Sequence, residues 1–193
     1  MTAAPRMTEG LLERLADDLD DAFPDLVAAH QGAVFATALR LCGHWHDAEE
    51  AAQETFVRAH AALASWEPAR IRALRPRAWL LQICLNSVRN RVRGNGRRPA
   101  QAPLDEGLDA RDPAAGPEEV VARRETRATL EAALAALPEM YRAPVVLRHV
   151  TGLGYTEIGE VLGSPPGTVK SQVHRGVRML AGALAGIDEE EAR

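Results

Sequence analysis

The chain has 193 residues, a formal net charge of -4, 46% hydrophobic content and 4% aromatic content, which suits one domain or two small ones with modest cores. It holds no apolar run of about 18 residues, so no membrane insertion is expected. The opening segment MTAAPRMTEGLLERLADDLDD lacks an apolar centre and turns acidic, so it does not read as a secretory leader and the expected location is cytoplasmic. Alanine, leucine, glutamate and arginine dominate, which favours an all-α fold. The two cysteines, Cys42 and Cys84, sit in apolar helical patterns and read as buried free thiols. Cys42-Gly43-His44-Trp45-His46 offers alternating ligand types but lacks a fourth at matching spacing, so neither a metal site nor a cofactor is expected.

Residues 1–22 read as an acidic N-terminal extension, helical and serving solvation or nothing. From Phe23 the apolar positions Leu26, Val27, Val34, Phe35, Ala38, Leu39 and Cys42 form one helical stripe, which Gly43 closes. Asp47 opens the next helix, with Glu50 three residues on as a capping box. That helix turns Ala51, Ala52, Thr55, Phe56 and Ala59 inward and Glu49, Glu50, Gln53, Glu54 and Arg58 outward. An acidic first turn also suits the helix dipole, without any partner.

The loop SWEPARIRALRPR precedes a third helix over Ala78 to Val92. Its polar residues Gln82, Asn86, Arg89 and Arg93 recur at helical spacing and make one stripe. Between Trp66 and Arg98 nine arginines face one acid, Glu67, so a chain that is acidic overall carries a local basic tract. Amides and guanidiniums in a row suit the bases and phosphates of an opened strand. Trp66 is read either as a stacking platform for a base or as core, and Trp79 as core.

Residues 94–116 are rich in Gly, Pro and Asp with no apolar period, and read as a flexible linker. Fully extended it reaches roughly 80 Å, against about 70 Å for two turns of duplex. A second domain spans 117–185, and an acidic, disordered tail follows over 186–193. Pro144 should kink its second helix. Next come two short helices about a tight turn. In the first, Tyr155, Ile158, Val161 and Leu162 share a face, Thr156 is available as a cap and Gly163 is the stop. Ser164 and Pro165 start the second, where Val169, Val173, Val177, Leu180 and Leu184 form the apolar face. Lys170, Ser171, His174, Arg175 and Arg178 line the opposite face, which carries no acid. A basic helix braced on its apolar side is what a DNA major groove accepts, so the pair reads either as a helix-turn-helix or as an ordinary helical hairpin with a solvated basic face.

Three segments carry a family resemblance. GTVKSQVHRGVR resembles the recognition helix of bacterial extracytoplasmic-function (ECF) sigma factors, DAEEAAQETFVRA their polymerase-docking motif, and AWLLQICLNSVRNRV the element that opens the promoter −10 region. The resemblance covers about residues 23–184, with both domains in the expected order. It implies a region 2-like domain over 23–93 and a region 4-like domain over 117–185. Asp47, Glu50, Gln53, Glu54 and Phe56 would lie at the clamp helices of the largest subunit of core RNA polymerase, with Phe56 supporting from the core. Trp66, Gln82, Asn86, Arg89 and Arg93 would serve the −10 element. Thr168, Lys170, Ser171, Gln172, His174, Arg175 and Arg178 would serve the −35 element, and Gln172 stands where many members carry arginine.

The expected function is promoter recognition and melting, with no catalysis. The expected partners are core RNA polymerase, promoter DNA and an anti-sigma factor, and the free chain would be a monomer. The competing reading is a stand-alone helix-turn-helix regulator, which needs a dimer face and tight binding to palindromic duplex. No Ser/His/Asp, HExxH or P-loop spacing supports an enzyme.

Overall fold

A computed structural model describes residues 4–94 and 117–191, with side chains placed at 10–91, 126 and 128–185. The linker and Arg97 and Arg98 lie outside the described residues, and so does the side chain of Arg93. Among the described residues every regular element is a helix. None is long and apolar enough to cross a membrane.

Five helices make the first bundle: α1 (Ala4–Asp17), α2 (Leu19–Cys42), α3 (Trp45–Leu63), α4 (Pro68–Arg72) and α5 (Pro76–Gly94). Four make the second: α6 (Pro117–Ala136), α7 (Glu139–His149), α8 (Tyr155–Leu162) and α9 (Pro166–Glu191). In the first bundle α2 packs on both α3 and α5, and Leu26, Val34, Leu63, Leu80, Leu81 and Leu85 close the core between them. Burying a leucine side chain of this kind contributes about 1.5–3 kcal/mol.

The segment expected to be a solvated extension is instead part of this bundle. Leu12 and Leu15 of α1 are buried against α2 and α4. Arg72 of α4 donates to Glu13 at 2.6 Å and to Asp17 at 2.8 Å. The leucines outweigh the acidic surface because they fall on one face of α1, which the overall charge of the segment conceals.

Several helix ends differ from the sequence expectation. Helix α3 starts at Trp45 with His44 at its N-cap and no side-chain cap, so Asp47 and Glu50 form no capping box. Entry to α8 is closed by Glu157, whose Oε2 accepts from the Gly154 amide at 2.8 Å, and not by Thr156. Helix α9 begins at Pro166, one residue later than expected, and continues to Glu191 through the stretch read as a disordered tail. The expected stops do hold: Gly43 and Gly163 both take left-handed backbone, at φ 75° and 65°. Pro144 is accommodated inside α7 and is buried.

The inward stripe of α9 is as expected at Val169, Val173 and Leu180 and differs at Val177. The helix buries Val169, Val173, Gly176 and Leu180, whereas Val177 is 40% exposed. Gly176 sits where α9 crosses α7. A Cβ there would lie 2.6 Å from Val145 Cγ2 and 3.3 Å from Tyr141 Cβ and its carbonyl. Close approach of the two helices explains a glycine that propensity alone counts as a cost of about 1 kcal/mol. Gly159 has the matching role in the turn, since a Cβ there would meet the Ser164 carbonyl oxygen at 2.6 Å.

The two bundles touch along α2 and α5. Arg40 of α2 pairs with Glu131 of α6 at 2.6 Å. Arg142 of α7 donates to the carbonyl oxygens of Ala135 and, at 2.7 Å, Leu137, and reaches Leu41 of α2 at 3.4 Å. One guanidinium thus serves the carbonyl ends of α6 and α2 together. Burial lowers its pKa, with Glu139 opposing.

Two expectations can be checked on this fold. Gly176→Ala should destabilise the chain by about 1–3 kcal/mol in urea unfolding, since overpacking of a buried crossing exceeds the propensity gain. Burial pushes the Cys84 thiol up to about 12. Cys84 should therefore resist iodoacetamide at pH 8 in the native chain and react once the chain is unfolded.

Candidate polymerase-binding and nucleic-acid interfaces

Helix α3 lies on the surface of the first bundle, with Ala48, Ala51, Thr55 and Ala59 packed inward. Gln53 is exposed, Asp47, Glu50 and Glu54 are half-buried, and Phe56 packs against the core from a partly covered position. Glu54 is less open than Gln53 because two guanidiniums flank it: Arg58 Nη2 at 2.6 Å and Arg91 Nε at 3.7 Å. Glu50 meets Arg91 and His46, the latter at 3.4 Å. Burial, reinforced by the charge on Asp47, pushes the Cys42 thiol beneath this face up to about 12, while Arg91 acts in the opposite sense. The sequence reading missed Val57, which is 69% exposed on the same face. Its place one turn after Gln53 was the available signal.

The second surface runs from α4 along α5. Gln82 and Asn86 are exposed, Arg89 is half-buried, and the three share one side of α5. Trp66 is not an open platform. The Arg70 guanidinium lies 3.8 Å from the centre of its ring and Trp79 packs 5.0 Å away. The two tryptophans therefore form one partly buried pair, and neither reading of Trp66 alone describes it.

Among the described residues, each arginine of this tract has a partner within the chain. Beyond Arg70 over Trp66 and Arg72 with Glu13 and Asp17, Arg75 meets Glu160 of α8 at 3.3 Å. Arg77 donates to the Thr151 carbonyl, Arg89 pairs with Glu139 of α7 at 2.8 Å, and Arg91 pairs with Glu50. Composition shows the basic tract; only the fold shows that α1, α3, α7 and α8 supply its counter-charges.

The third surface is the outward face of α9, about the turn from α8. Thr168, Lys170, Ser171, His174, Arg175 and Arg178 are all exposed there. Ser171 Oγ donates to the Gly167 carbonyl at 3.0 Å, and the Arg175 guanidinium stands 6.0 Å from the Tyr141 ring. Gln172 differs from its neighbours: it is half-buried, and its Oε1 is enclosed without a hydrogen-bond partner. Its side chain turns toward the protein and away from the exposed row.

The structure therefore gathers the candidate residues into three separate faces, acidic on α3, amide- and arginine-bearing on α5, and basic on α9. Residues 26–98 match the family described as Sigma-70 region 2, and residues 127–180 match Sigma-70, region 4. The chain is 39% identical over 172 residues to the ECF RNA polymerase sigma factor SigE of Mycolicibacterium smegmatis, a match covering 88% of this chain and 64% of that protein. It is 33% identical over 165 residues to the ECF RNA polymerase sigma factor SigW of Bacillus subtilis, covering 81% and 85% respectively. The fold is similar to that of CnrH, solved in complex with the cytosolic domain of CnrY, with a TM-score of 0.69 and 27% identity over 92% of this chain and 97% of that one. The RpoE structure from Bartonella quintana, solved with the anti-sigma factor NepR, has a TM-score of 0.64 at 22% identity over 84% of this chain and 96% of that one, a likeness of fold. The chain belongs to the ECF group of RNA polymerase sigma factors.

Proposed function

We propose that this chain is a promoter-directing subunit that binds core RNA polymerase through α3, reads the −10 element through α5 and the −35 element through α9, and opens the start site. The observation that carries the reading is the division of its polar residues among three faces of different chemistry, in the chain order of Sigma-70 regions 2 and 4. The first module is residues 23–93 together with α1, the second is 117–185, and 94–116 connects them. Asp47, Glu50, Gln53 and Glu54 present carboxylates and an amide to the polymerase clamp helices, with Phe56 behind them. Gln82, Asn86 and Arg89 would hold an unstacked strand, and their contacts offset an unstacking cost of a few kcal/mol per base.

The chain does no bond chemistry of its own in this reading. It acts in the cytoplasm, where its polymerase and DNA are found. An anti-sigma factor is a partner by analogy with the RpoE of B. quintana, solved with NepR. A cover for α3 or α5 would block polymerase or −10 DNA directly.

The free chain should bind promoter duplex weakly, because the described arginines of its basic tract are engaged internally and its net charge is -4. For Arg89 to reach phosphate, its pair with Glu139 has to open. The pair is largely exposed on the glutamate side, so it is worth at most about 1 kcal/mol.

Run-off transcription with core polymerase, with start sites mapped, tests the function as a whole. Tight selective binding of the free chain to a palindromic duplex, with no effect on polymerase, would point to a stand-alone regulator. Arg175→Ala should reduce −35-dependent transcription about tenfold with core affinity unchanged. Glu54→Ala should reduce core affinity by a similar factor and spare −35 duplex binding; equal loss of both functions in either variant would refute the division of labour. Glu139→Gln should raise free-chain affinity for a −10 single strand by about two- to fivefold at low salt, an advantage that fades as salt screens the pair.

A further inference from the structure

Glu50 and Glu54 stand one turn apart on α3 and face the surface assigned above to core polymerase. Neither carboxylate is free. From α5, Arg91 sends Nη1 to Glu50 Oε2 and points Nε at Glu54 Oε2, 3.7 Å away. That distance is too long for a hydrogen bond, and Nε is buried without another partner. Arg58 draws Glu54 the other way, Nη2 to Oε1 at 2.6 Å.

The two arginines are not equivalent. The Arg91 side chain is 27% exposed and that of Arg58 is 45% exposed. Arg58 can yield its carboxylate to an incoming cation at small cost, because an exposed i,i+4 pair is weak. Arg91 is held more firmly, because its Nε is already buried and its Nη1 is bound to Glu50. Its Nε stands 3.7 Å from Glu54 Oε2, so a small shift of that carboxylate would bring the two within hydrogen-bond distance.

We propose that Arg91 is a positioning residue of the polymerase-binding face. It fixes Glu50 and Glu54 from behind, while Arg58 occupies the place that a cation of the polymerase takes. Carboxylates held this way lose less rotamer freedom on binding. Helix α5 thus supports the core-facing surface on one side and carries Asn86 and Arg89 on another. The inference rests on the function proposed above, and its test separates the two.

The test measures core RNA polymerase affinity for the full chain at low and moderate salt. Arg91→Met keeps the buried stem and removes the guanidinium; it should weaken core binding about three- to tenfold, with the thermal midpoint and −35 duplex binding near those of the parent. Arg91→Lys keeps the charge but cannot bridge both carboxylates, so it should fall between. Arg58→Met should bind core as tightly as the parent or more tightly. Arg91→Met combined with Glu54→Gln should cost less than the sum of the two, as coupled groups do. Parental core affinity in Arg91→Met, with Glu50→Ala and Glu54→Ala both impaired, would overturn the role of Arg91 alone. Parental affinity in all three would overturn the polymerase-facing reading of α3 itself. Parallel loss of core affinity, −35 binding and thermal midpoint in Arg91→Met would reduce Arg91 to a structural residue and also overturn the proposal.

Discussion

The constraint on which this structure turns is the placement of an arginine-rich segment in a protein with net charge -4. Arg72, Arg75, Arg77, Arg89 and Arg91 all lie on α4, α5 or the turn between them, and each is met by an acid or carbonyl from a different element. Like charges crowded on two short helices would repel one another, and the pairs spread that cost over the whole molecule. Most of them are exposed enough to be weak singly. The exposed contacts, unlike that of Arg91, can open one at a time, with little free energy at stake in each step.

How much of this was legible before folding depends on the kind of signal. Apolar periodicity located α2, α3, α5 and the α8–α9 pair, because burial acts on side chains at fixed spacing. It failed at α1, where charge drew attention away from Leu12 and Leu15. In the inward row of α9 it placed Val169, Val173 and Leu180 correctly and missed at one position, Val177. Val177 looked like core by residue type, but the contact with α7 needs the absence of a side chain, so Gly176 holds the inward place. Capping residues were legible where glycine takes a left-handed turn, as at Gly43 and Gly163, and illegible where the cap is backbone only, as at His44.

The candidate surfaces divide in the same way. Exposure of Gln53, Gln82, Asn86 and the α9 row follows from helix geometry and could be read directly. Partners at long sequence separation could not. Nothing in the spacing of Arg91 relates it to Glu50, 41 positions earlier, and nothing in Trp66 shows that Arg70 covers one ring face. The inward turn of Gln172, with its enclosed Oε1, likewise depends on what surrounds that stretch of α9.

The stripe that seats α9 on its own domain shares no residue with the row it presents outward: Val169, Val173, Gly176 and Leu180 are inside, while Lys170, Ser171, His174, Arg175 and Arg178 are outside. Because the two sets are disjoint, evolution or a designer can rewrite the outer letters without disturbing the seat. If the outer row reads DNA as proposed, paralogous copies of such a chain can drift to new promoters through a handful of surface changes, so long as the two glycines that let the helices and the turn come close stay as they are.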